Sequence, residues 1–132
     1  MILNLTQHRA TPDQLSAGVV DLPDTEREKL SRLLTFETLP DIGEIISRAS
    51  SMASLAALNA AGEDRYDDGR LDRAAMIGGA PWLMAPLEME LLANGIRPVY
   101  AFSVRETQDV PQPDGSVRKV SIFRHVGFVE VE

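Results

Sequence analysis

Four side chains able to carry a positive charge or move a proton, Arg105, Lys119, Arg124 and His125, fall within one hairpin's reach near the C-terminus of this chain. An apolar run from Pro98 to Val104 leads into Arg105-Glu106. An Asp114-Gly115 turn follows, and a second run carries Phe123-Arg124-His125 in its middle. Both runs read as buried strands, and a core strand rarely keeps a cationic pair without a use for it. With Ser103 beside them, such groups suit charge stabilisation and acid–base help in phosphodiester chemistry. Strict alternation puts Val120, Ile122 and Arg124 on one face, Phe123 and His125 on the other. At most one of Arg124 and His125 therefore lines a site with Arg105 or Lys119. A regular strand selects Arg124; a bulge, which Gly127 can mark, selects His125. The competing reading pairs both with acids such as Glu106 or Glu130 at a surface edge.

Two further clusters belong to the same chemistry. Ile77-Gly78-Gly79-Ala80-Pro81 joins a predicted strand to a predicted helix. Gly78 and Gly79 serve either a tight turn or the close approach of backbone N–H groups to a phosphate. The segment is neither a Walker loop nor a dinucleotide fingerprint. Asn4-Leu5-Thr6-Gln7-His8 follows the first strand at the same predicted sheet edge. Thr6 and Gln7 can donate to phosphate oxygens or base edges, and His8 can shuttle a proton. The alternative for all three is local loop bonding and capping.

The elements that must position these groups follow from pattern. Met1 to Thr6 is a short strand. Thr11-Pro12-Asp13-Gln14 starts a helix with Thr11 as N-cap and Gln14 closing a capping box, and Gly18 stops it. Val19-Val20 is extended. Asp24 or Thr25 caps a helix with Leu30, Leu33 and Leu34 on its apolar face. Pro40-Asp41 opens the longest helix, with Ile42, Ile45, Ile46, Ala49, Met52, Ala53 and Ala56 on one buried face, and Gly62 ends it. Glu63 to Asp72 is a polar, acidic, mobile surface loop; its aspartates lack calcium-loop spacing, so no metal site is expected. Arg73–Ile77, a helix from Trp82 to Asn94 burying Trp82, Leu83, Leu87 and Leu91, and Ile96–Val104 form a β–α–β crossover with parallel strands. The final strand returns antiparallel. The expected architecture is one three-layer α/β domain, Rossmann-like, over residues 1–132, with a small, mostly parallel sheet and an antiparallel C-terminal hairpin.

Composition narrows the ligand. At 132 residues and 44% hydrophobic, the chain can build one real core. It has no cysteine, which excludes disulfides, thiol catalysis and cysteine-based zinc sites. No membrane span or signal core is legible, so a cytoplasmic setting is expected. All of the net −7 lies before Ile96, where 15 acids outnumber 8 bases; from Ile96 onward there are 5 of each. Such a chain repels polyanions broadly, so duplex nucleic acid is not an expected partner, whereas a small anion near the C-terminal hairpin is compatible.

These segments resemble a known family. Pro98-Val99-Tyr100-Ala101, Ser103-Val104-Arg105-Glu106, Asp114-Gly115-Ser116-Val117-Arg118-Lys119 and Phe123-Arg124-His125-Val126 resemble the C-terminal hairpin of small CRISPR-associated proteins of the Csx type. These are Rossmann-like, CARF-related single domains. Asn4 to His8 followed by Thr11-Pro12-Asp13-Gln14 resembles their first strand and opening motif, and Met76 to Tyr100 fits as well. About half the chain is covered; Gly18 to Asp72 shows no such likeness. Some members act in type III CRISPR antiviral defence as ring nucleases on cyclic oligoadenylate. The resemblance implies a homodimer holding a small cyclic oligonucleotide, opened without metal or other cofactor by attack of a ribose 2′-hydroxyl on the adjacent phosphate. It also implies Thr6 and His8 at the ligand edge, Gly78-Gly79 under a phosphate, and Arg105, Lys119, Arg124 or His125 near the scissile group. The alternative is a non-enzymatic accessory or interaction protein of a phage or other mobile element.

Overall fold

The computed structural model describes residues 1–60 and 73–131. Five strands, β1 (Ile2–Asn4), β2 (Val19–Asp21), β3 (Arg73–Met76), β4 (Ile96–Pro111) and β5 (Val117–Glu130), form one sheet in the order β2-β1-β3-β4-β5. The first four run parallel and β5 returns antiparallel along β4, so the expected α/β architecture with a C-terminal hairpin is present. The predicted acidic loop and Gly62 lie outside the described residues.

Helices α1 (Pro12–Ser16), α2 (Asp24–Leu34), α3 (Ile42–Asn59) and α4 (Pro81–Ala93) connect the strands. Alternation along the strands divides the core in two. Leu3, Leu5, Ala75, Ile77 and Ile96 join residues of α2, α3 and α4 in the larger cluster. Val19, Met76 and Val99 form a smaller cluster on the other face, with Ile2, Ala10 and Phe128 against it. Among the described residues the helix on that second face is the one-turn α1, which buries none of its own residues.

The local signals near the termini of α1 and α3 act as expected. Thr11 and Gln14 close a reciprocal capping box, and Asp41 caps α3 by accepting from the Glu44 N–H. Helix α2 differs: Pro23 is its N-cap, and no side chain caps it. On α3 the buried residues are Ile45, Ala49, Met52, Ala53, Leu55 and Ala56, while Ile42 and Ile46 are exposed. Trp82, in the first turn of α4, is also half exposed and meets the Phe36 ring edge-on at 5.6 Å.

The larger correction concerns the hairpin. β3 pairs with β4 from Ile96 to Val99, so among the described residues β4 beyond Tyr100 has β5 as its one partner. The distal strands form a projecting ribbon whose Phe102, Phe123, Val126 and Val129 are about half exposed or more. Apolar content made these strands look like core; their partners end before they do.

Candidate functional site

The strand order reverses direction between β1 and β3: β1 leads to β2 on one side, and the chain then crosses to β3 on the other. In an open parallel sheet this switch point, at the C-terminal strand ends, is where loops part and leave a crevice. The loops after β1 and β3 carry Thr6, Gln7 and His8, and Gly78 and Gly79.

Asn4 shapes the first loop. It is the one fully buried polar residue among those described. Its amide donates to the His8 carbonyl at 2.8 Å and to Asp21 Oδ1 at 2.7 Å. Its oxygen accepts from the Thr6 N–H and hydroxyl at 2.9 and 2.7 Å. Asp21 in turn accepts from the Ala10 N–H. Burial alone would raise the Asp21 pKa; the Asn4 amide, the Ala10 N–H, Arg27 and Arg9 outweigh it and hold the carboxyl below its ordinary value. Residues 4 to 10 are thus tied down from beneath, leaving the Thr6 and His8 side chains at the surface. Asn4 opens the motif in the sequence, but its role was not legible there; the one signal is a polar residue amid Ile2, Leu3 and Leu5.

A cleft of about 520 Å³ lies at the switch point, lined by Thr6, His8, Arg9 and Gly78, with Thr11 and Gln14 at one end. Gly78 approaches Thr6 closely, its missing Cβ lying 3.7 Å from Thr6 Cγ2. Helix α4 begins directly after this glycine pair with no side-chain cap, so its first N–H groups are not engaged by a capping side chain. Gly79 does not line the cleft; its φ of 144° makes the turn, beside Leu34 and Met84. Gln7 turns toward α2 and donates to Thr35. Tyr100 closes the floor, its hydroxyl bonded to Glu88 at 2.7 Å; burial first, then that carboxylate, raises its pKa far above the ordinary phenol value.

A second cleft of about 290 Å³ shares Thr11 and Gln14 with the first and continues to Ser103, Phe123 and His125 on the ribbon. The register explains which residues reach it. Phe102 pairs with Gly127 but Ser103 pairs with His125, so Val126 is an extra residue. This bulge beside Gly127 shifts the distal ladder by one and places His125 and Phe123 on the face of Ser103 and Arg105. Arg124 falls on the opposite face, bonded to Glu106 at 2.6 Å. The regular-strand expectation that aimed Arg124 at the site therefore gives way to the bulged one, with His125 in that place. The His125 ring lies 4.8 Å from that of Phe128 and is tilted 59° to it, and both of its ring nitrogens are shielded without a hydrogen-bond partner among the described residues.

Arg105 stands opposite Phe123, one step further out on the same face, with no ion pair among the described residues. Lys119 shares that face but lies six residues from His125, roughly 20 Å along the strand. Within one copy of the chain it does not join the cleft. Sequence reading missed Arg9 and the way Thr11 and Gln14, bound as a capping box, also bridge the two clefts; neither carries a spacing signal. Among the described residues no group of acids and histidines is placed to hold a metal ion, and no helix is long and apolar enough to cross a membrane. No curated protein and no solved structure matches the chain. A family model matches residues 1–129, nearly the whole chain, which belongs to the Uncharacterized protein MJ1673 family.

Proposed function

We propose that this chain binds a small cyclic oligoribonucleotide, cyclic oligoadenylate by its resemblance to the Csx-type proteins, along the C-terminal edge of its sheet and opens the ring there. The observation that carries this reading is the continuity of the two clefts through Thr11 and Gln14. They set hydroxyl groups, two histidines and Gly78 along one edge, a set suited to phosphodiesters.

The chemistry needs only the chain's own groups. The ligand's 2′-oxygen attacks the adjacent phosphorus; the new P–O2′ bond forms as the P–O5′ bond breaks, leaving a cyclic phosphate and a free 5′-hydroxyl. His125 takes the 2′ proton, and its unpaired nitrogens gain a partner when a ligand hydroxyl enters. Arg105 offers charge to the phosphorane, and the edge between Thr6 and Gly78 holds a neighbouring phosphate in line. The proton for the departing 5′-oxygen comes from His8 or water.

Purified protein incubated with cyclic tetra- and hexa-adenylate in excess chelator should bind one of them and yield linear products carrying a 2′,3′-cyclic phosphate. The absence of both binding and turnover with either ring would overturn this reading. One observation favours a second reading, a non-enzymatic interaction protein: Arg124 and Arg97 are tied to Glu106 and Glu130. On that reading mutation of His125 leaves the protein's partner binding intact.

A further inference from the structure

β4 and β5 leave the body as a two-stranded ribbon about 11 residues long, roughly 36 Å. A lone two-stranded ribbon is marginal in water, and unpaired strand edges invite another chain. Among the described residues one face of this ribbon is exposed from Arg105 and Phe123 outward, while at Ser103 and His125 the same face meets α1 across the second cleft. In its register Arg105 stands opposite Phe123, Thr107 opposite Ser121 and Asp109 opposite Lys119. All six are exposed, Phe123 to 74%. Arg105, Asp109 and Lys119 make no ion pair among the described residues, although Asp109 and Lys119 are direct neighbours.

We propose that this face joins two copies of the chain, ribbon on ribbon, about a twofold axis that crosses the strands at Thr107 and Ser121. An axis lying between the ribbons and perpendicular to the strands sets β4 antiparallel over β4 of the second copy, and β5 over β5. Residues equally far on either side of the axis then meet. Arg105 faces Asp109 of the second copy, and Phe123 faces Lys119 of the second copy, each contact occurring twice. One is an ion pair; the other sets a cation over an aromatic ring. No like charges meet.

The same axis applied to the opposite face would set Arg124 over Arg118 of the second copy, and Arg124 is already held by Glu106. The choice of a second copy over another protein rests on this symmetry. On β4 the charges invert about the centre, Arg105 against Asp109, which suits a twofold contact and is not required by an unrelated partner. One consequence rests on the oligonucleotide reading: Lys119, out of reach of its own cleft, is delivered beside the His125 of the second copy.

Sedimentation velocity across a concentration series tests the interface on the full chain. The unmodified protein should be a dimer. Arg105→Asp alone, or Asp109→Arg alone, sets like charges face to face and should weaken the dimer about tenfold or more. An equimolar mixture of the two single variants should restore dimers, since every 105–109 contact is then between opposite charges; the double variant should do the same. Rescue on mixing also shows that each variant is folded. A monomeric parent, single variants that dimerise unchanged, or a mixture that fails to recover overturns the proposal. Dimers that obey the charge swap but bind no cyclic oligoadenylate uphold the interface and detach it from the cleft.

Discussion

A buried asparagine that satisfies four bonds at once has no tolerant substitute. Asn4 supplies two donors to His8 and Asp21 and an acceptor to Thr6, so Asn4→Ala strands several of these groups and should cost about 2–3 kcal/mol in denaturant unfolding. Asn4→Asp is more informative. It sets a second carboxylate against Asp21, which raises the pKa of the pair in the folded state. Groups with a raised folded pKa stabilise on acidification, so the variant should gain thermal stability between pH 7 and pH 5. The parent should not: Asp21 is depressed, and its contribution is lost only as pH falls below the ordinary carboxylate value of 3.8. A variant that tracks the parent through that window would show that Asn4 does not couple to Asp21. At the other end of the groove, His125→Ala should lower ring opening about 100-fold while leaving ligand affinity nearly unchanged, as single-turnover assays and direct binding would report. An equal loss of both would reassign His125 from proton transfer to binding.

At the level of elements, the end of α2 is held from outside. Arg48 on α3 donates to the carbonyls of Arg32, Leu33 and Thr35, pairs with Glu44, and stacks 4.2 Å over the Phe36 ring. A helix C-terminus leaves such carbonyls without intrahelical partners, and a guanidinium fork meets several of them together. Arg48→Lys should lose about 1–2 kcal/mol, because an ammonium cannot span that set; equal stability would mean that water replaces the fork. This clamp also marks where sequence reading stops. The capping box of α1 was legible because Thr11 and Gln14 lie three residues apart and their bond is local. The parallel crossover through α4 was legible from Gly78-Gly79 and Gly95, which punctuate it. Arg48 reads as one more charge on an amphipathic helix until the fold brings the end of α2 beside it. The bulge at Val126 was foreseeable only as an option, because Gly127 permits it and the residue count between sheet and turn decides it. Exposure was the least legible property. Ile42, Ile46, Trp82 and Phe123 have core composition, yet all four are about half exposed or more.

Across the whole molecule the body and the ribbon are energetically separable. Both core clusters draw on residues up to Tyr100 together with Phe128; none of their members lies between Ala101 and Gly127. Antiparallel bonding along the distal ribbon adds strand pairing but buries little apolar surface, so it contributes little to the stability of the fold. Replacing residues 103–126 by an Asn-Gly turn, which suits a two-residue hairpin, should therefore leave cooperative unfolding within about 1 kcal/mol of the parent. The same deletion should abolish self-association and remove Ser103, Arg105 and His125 from the groove, while Thr6, His8 and Gly78 stay in place. A shortened chain that still unfolds cooperatively but sediments as a monomer would locate stability in the body and association in the ribbon. If it fails to fold, the ribbon contributes to the core, and the division drawn from the burial pattern is wrong.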